Sequence, residues 1–147
     1  MNMHSNDYLK NQIATASREQ LLLMFYDGAI RFTRQARQAV EQNDIDGRAY
    51  GINKASAIIA ELAATLDHKI GGKIADDLDA LYNYMLHELS QANIHNDTEP
   101  LERVEKMLLD LRQTWAEAIK IYKQEMHGAA QGSQVNSLAH QPLSVAM

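Results

Sequence analysis

Proline stands at only two places in this chain, Pro100 and Pro142. Proline removes a backbone donor and clashes with the preceding helical turn, so a long stretch without it can carry uninterrupted helices. The stretch before Pro100 therefore predicts an all-α fold. A chain of 147 residues is one domain's worth. Its 46% hydrophobic and 22% charged residues are an ordinary globular mix.

Punctuation along the chain divides it. Residues 1–17 are polar with scattered apolar anchors at Tyr8, Leu9 and Ile13, and show no clear helical period. They read as an N-terminal cap segment, with room for a small extra helix. Ser17 with Gln20 three residues on forms a capping-box pattern, opening a helix from Arg18 to Glu41. Asn43-Asp44-Ile45-Asp46-Gly47 is a turn cluster. A second helix is expected from about Arg48 to His68, closed by Gly71-Gly72. A third is expected from Lys73 to Asn93, and Asn96-Asp97-Thr98 closes it. Pro100 then sits in the first turn of a fourth, where its missing N–H costs little. That helix is expected to end at His127, before Gly128. Residues 128–147 carry no Asp, Glu, Lys or Arg and read as a disordered tail. Helices this long with short connections predict an antiparallel four-helix bundle over 18–127.

Helical spacing places Leu21, Leu22, Phe25, Ala29, Phe32, Ala36 and Ala39 on the core face of the first helix. Leu23, Tyr26 and Ile30 widen its apolar arc beyond what a bundle needs. On the second helix Ile52, Ala55, Ile58, Ile59, Leu62 and Leu66 are core, beside a smooth flank of Ala57, Ala60 and Ala64. The third is expected to bury Ile74, Leu78, Leu81, Tyr82, Met85, Leu89 and Ala92. The fourth is expected to bury Leu101, Val104, Leu108, Leu111, Trp115, Ala118, Ile119, Tyr122 and Met126, leaving Leu109, Ala116 and Ile121 off the stripe. The surplus apolar surface has two readings. It marks a partner groove, or it is bland: the N-terminal segment covers it, or the bundle is slightly over-wide. Candidate partner-binding residues are Tyr8, Ile13, Leu23, Tyr26, Ile30, Ala57, Ala60, Ala64, Leu109 and Ala116.

Several chemistries are absent from the sequence. Without cysteine there are no disulfides, thiol nucleophiles or Cys-ligated metals. No Glu has a His three residues later, and no two histidines stand three or four apart, which argues against helical metal sites. Ser17, Ser56 and Ser90 have no nearby base. No enzyme activity, cofactor or metal is expected. The net charge of −5 disfavours nucleic acid. Arg31, Arg34 and Arg37 read as a solvated helix face. No apolar run approaches the length of a membrane span, and the N-terminus lacks signal-peptide order, so a cytoplasmic protein is expected. A signalling bundle carrying phosphate on His68 or His87 is the rival reading. His68 is placed in a C-terminal helical turn, and neither histidine has the expected lysine spacing.

Four ordered blocks carry a resemblance. The first holds Tyr8, Ile13, Thr15-Ala16-Ser17, Leu21-Leu22 and Met24 through Ile30. The second holds Lys54-Ala55, Ile58-Ile59, Glu61-Leu62, Leu66-Asp67 and Gly71-Gly72. The third holds Ile74-Ala75, Leu78, Leu81-Tyr82, Tyr84-Met85, Leu89 and Ala92-Asn93, and Leu111-Arg112, Trp115 and Ala118 complete the pattern. Over residues 8–126 the chain resembles the flagellar secretion chaperone family, FliS. It departs from the pattern at Arg18, where the family often has proline. The resemblance implies a non-enzymatic export chaperone. Such a protein holds the disordered C-terminal region of flagellin in the cytosol, prevents premature polymerisation, and meets a component of the export gate when loaded. Homodimerisation is a further use of the spare apolar surface.

Overall fold

The computed structural model describes residues 3–136, which form five helices: α1 (Met3–Thr15), α2 (Arg18–Glu41), α3 (Ile45–Ala64), α4 (His68–His95) and α5 (Glu99–Asn136). The chain divides after Arg112 into two compact units. In the first, α2, α3, α4 and the start of α5 make the expected all-α bundle, preceded by α1.

Local chemistry explains the boundaries. The Ser17 hydroxyl accepts from the Gln20 amide, and the Gln20 side chain accepts from the Ser17 amide, closing the capping box. The Asp44 carboxylate accepts from the Gly47 amide, so α3 starts at Ile45, inside the cluster expected to be a turn. Asp67 does the same for Lys69 and Ile70. That cap corrects the second predicted helix. It ends at Ala64, and His68 opens α4. The paired glycines interrupt the helical path where a break is expected: Gly72 sits at φ 52°, ψ −125°, outside the helical region, so α4 is a short first turn joined across a kink to the long helix that follows. A side chain rarely adopts this backbone, so Gly72→Ala is expected to cost about 1–3 kcal/mol, read as a lower melting temperature. Asn96 closes α4 in the left-handed conformation. Residues 3–15, expected without helical period, form α1. Gly128 does not end the last helix, which runs through it to Asn136. With no Cβ contact nearby and no proline between it and Asn136, nothing there forces a stop. Of the predicted tail, 137–147 lie outside the described residues.

The core is turned from the expected face on α2. Tyr26, Ala29, Ile30, Thr33, Ala36 and Ala39 are buried, whereas Phe25 is exposed and Leu21, Leu22 and Phe32 are half-buried. Tyr26 and Ile30, expected at the surface, are therefore core residues. The reason is the close approach of α3. Gly51 meets the Phe32 carbonyl and Ala36, and Gly28 meets Ile58, so the small residues of α2 face its neighbour and rotate the large ones outward. On α3, Ile52, Ala55, Ile59 and Leu62 are core as expected, with Ile58 and Leu66 half-buried. On α4, Leu78, Tyr82, Met85, Leu89 and Ala92 are core, but Ile74 and Leu81 are exposed. On α5, Leu101, Val104 and Leu108 are fully buried. Within the second unit, Trp115 and Ile119 are half-buried, while Ala118, Tyr122 and Met126, expected in the core, are exposed.

Polar groups fix the neighbours. Tyr26 and Tyr82 share a buried hydroxyl–hydroxyl hydrogen bond of 2.5 Å between α2 and α4. Glu105 on α5 accepts from Arg34 at 2.6 Å and Arg37 at 3.0 Å, so these two arginines are tied down rather than merely solvated. Arg103 donates to the buried Glu88 at 2.8 Å, joining α5 to α4. Arg48 of α3 donates to Asn93 and Asn96 at the far end of α4.

Burial and the Tyr26 hydrogen bond push the Tyr82 hydroxyl's pKa far above its ordinary value. The protonated form is thus favoured in the folded state, and the unfolded chain loses this proton near pH ~10. The stabilisation is whole below that pH and declines as pH rises through it. Melting temperature is expected to fall above pH ~10, and less steeply in Tyr82→Phe. Parallel slopes for the two proteins would refute this.

Candidate functional site

Three connected hollows line α2 within the first unit. Leu9, Gln12 and Ile13 of α1 face Leu21, Met24 and Phe25 of α2 and Ile58 of α3 around a hollow of about 340 Å³. A second, of about 380 Å³, lies between α1, α2 and α5, bordered by Gln12, Ala16, Leu23, Met24 and Arg112. The third, of about 480 Å³, runs between α2 and α5 over Ile30 and Leu109, edged by Arg31, Arg34, Gln35, Gln38 and Arg112.

Asp27 borders all three hollows. Its carboxylate accepts from Arg112 Nε at 2.5 Å and Nη2 at 3.2 Å. The first cause of the raised Arg112 pKa is that hydrogen bond. The pair is partly solvated, so its worth is modest. Its placement matters more, because it spaces α2 from α5 where the hollows join.

The ten candidate residues fare differently. Ile13, Leu23 and Leu109 line the hollows, and Ile30 lies beneath the third as a floor. Tyr8 on α1 is 70% exposed and borders none of these three hollows. Ala57, Ala60 and Ala64 are exposed on α3, and α1 borders Ile58 rather than them. Ala116 is half-buried in the second unit. Tyr26 is fully buried, out of reach of a partner on the closed bundle. Leu9, Met24, Phe25, Ile58, Asp27 and Arg112 also line the hollows and were not among the candidates. Leu9 and Ile13 stand four apart, a helical pair that marks the face of α1.

His68, expected at the end of a helix, begins α4, where its Nδ1 lies 2.8 Å from Asp76 Oδ1. Among the described residues no cluster of His, Asp and Glu could hold a metal ion. No helix among them is long and apolar enough to cross a membrane.

The groove has no reacting constellation at its centre. It is an apolar floor with a polar rim, suited to holding a chain. The profile of a family described as "Flagellar protein FliS" matches residues 1–122. This chain belongs to the FliS family. It is 38% identical over 122 residues to the flagellar secretion chaperone FliS of Bacillus subtilis, covering 83% of this chain and 90% of the relative. The flagellar secretion chaperone FliS of Salmonella typhimurium is 38% identical over 108 residues, covering 73% of this chain and 80% of its own length. That of Campylobacter jejuni is 34% identical over 116 residues, covering 79% and 91%. The FliS family is one of flagellar secretion chaperones, and the quoted blocks from Tyr8 to Trp115 fall within the matched span.

Proposed function

We propose that this chain is a cytosolic export chaperone that holds the disordered C-terminal region of flagellin, keeps it from polymerising, and presents it to the export gate. The observation that supports this reading is the open, apolar-floored groove along α2 in a member of a secretion chaperone family. A disordered segment can fold as an amphipathic helix into such a groove. It meets its ordering entropy on binding, so affinity per unit area is moderate. That suits a chaperone that must let go. In this reading α1 is a cap beside which the client packs, or which it displaces, and the helical bundle is the grip.

Titration calorimetry with a flagellin C-terminal peptide tests the reading. Phe25 is half-open to solvent and lines the first hollow, so Phe25→Asp is expected to melt like the parent and to bind at least about tenfold more weakly, about 1.4 kcal/mol. Unchanged affinity would show that the client lies elsewhere.

A further inference from the structure

The third hollow differs in charge from the other two. Arg31, Arg34 and Arg112 border it, and Asp27 is its one acidic neighbour among the described residues. The carboxylates that approach these cations are already engaged. Glu105 takes Arg34 and Arg37, and Asp27 takes Arg112. Arg31 is exposed, packs its guanidinium 5.0 Å from the Phe32 ring centre, and has no carboxylate within ion-pair distance among the described residues. Glu41 also stands 3.8 Å from Arg37, so four guanidinium groups meet three carboxylates here, in a chain whose net charge is −5, and none of the three reaches Arg31. A guanidinium carries five donors in a fixed fork. Arg34 spends its Nε on Glu105, which leaves its Nη donors to offer, and all of Arg31's fork is open to a partner. Gln35 and Gln38 extend the donor row along the same edge. Below the row lie Ile30 and Leu109, the latter 39% exposed.

We propose that this reach of the groove takes an acidic amphipathic helix, its apolar stripe on Leu109 and its carboxylates on Arg31 and Arg34. The assignment rests on the reading of the groove as the client's seat, and adds the chemistry of the client stretch that lies between α2 and α5. Arg31 and Arg34 are three apart, one turn of α2, so carboxylates on one face of the docked helix can reach both. The contribution is to selection and encounter more than to raw affinity. The apolar floor holds the helix and the arginines choose which one.

Two synthetic amphipathic peptides test it, sharing one Leu/Ile stripe and differing in polar residues, Glu and Gln in one, Lys and Gln in the other. Fluorescence anisotropy on the full chain reads both affinities at low and high salt. The Glu peptide is expected to bind about tenfold more tightly at low salt and to lose that advantage at high salt. Arg31→Glu is expected to weaken the Glu peptide by about tenfold and to leave or improve the Lys peptide. Because Arg31 ties no other helix, this variant should fold, and its melt checks that. Equal binding of both peptides, with no response to Arg31→Glu, overturns the acidic partner. If Leu109→Asp still weakens both in that case, the groove reading survives alone. If neither peptide binds, or Leu109→Asp changes nothing, the groove reading falls with it. A chain that self-associates and is made monomeric by Arg31→Glu has a second copy in the groove, which also overturns the proposal.

Discussion

Replacing Tyr26 with alanine is expected to destabilise the bundle by about 3–5 kcal/mol, the range for truncating a large buried aromatic side chain. Tyr26 is wholly inaccessible and sits where α2 meets α4. Truncation empties the space of a ring and also removes the hydroxyl that Tyr82 uses. A buried hydroxyl left without its partner adds its own desolvation cost, about 1–3 kcal/mol. Tyr26→Phe separates the two contributions, because it keeps the ring and removes only the hydroxyl. Chemical denaturation of both variants measures the difference. Should Tyr26→Ala cost no more than Tyr26→Phe, the ring would not be a core element, and the rotated face of α2 described above would be wrong.

Gly51→Val should be nearly as damaging for the opposite reason, by adding volume. A Cβ at Gly51 would lie 2.8 Å from the Phe32 carbonyl oxygen and 2.9 Å from the Ala36 nitrogen and Cβ. Two of these three atoms are backbone, so no rotamer change relieves the clash. Valine adds further methyl groups and a β-branched side chain on the same seam. Overpacking typically costs 1–3 kcal/mol and here is expected at or above about 3 kcal/mol, since α2 and α3 must separate. A melting temperature within a few degrees of the parent would show that the seam can open cheaply.

The boundary signals were legible where a single residue type has one strong use. Ser17 with Gln20 placed the start of α2, the cluster opening at Asn43 its end, and Pro100 the first turn of α5. Asp67 was harder to read, because a cap is also an acceptable residue in a helix's last turn. Its side chain settled the question by taking two amides of α4. Hydrophobicity alone misplaced the core face of α2. A helical wheel ranks Phe25 and Phe32 above Gly28 and Thr33, and it knows nothing of how closely α3 approaches. Once Gly51 admits the backbone of α2, small residues belong at the contact and Phe25 turns to the groove. The candidate site was legible in part for the same reason. Leu109 stands off the core stripe by spacing alone, whereas Asp27 and Arg112 enter through a pairing of α2 with α5 that no local pattern encodes.

Within the first unit, the side-chain ties that join one helix to another are distributed unevenly along the bundle axis, because those at the α3–α4 corner stay local, from Asp67 to Lys69 and Ile70 and from His68 to Asp76. At one end, Arg48 grips both Asn93 and the left-handed Asn96, and Glu105 gathers Arg34 and Arg37. At the other end, α3 stops at Ala64, and the first turn of α4 reaches the rest of that helix through Gly72. Opening of a structure begins where few groups must be released together. Amide protons around the α3–α4 corner should therefore exchange with solvent through small fluctuations, while those flanking Arg48 wait for the whole domain to come apart. The first unit is expected to unravel from one pole, and its most durable hydrogen-bonded turns mark the other.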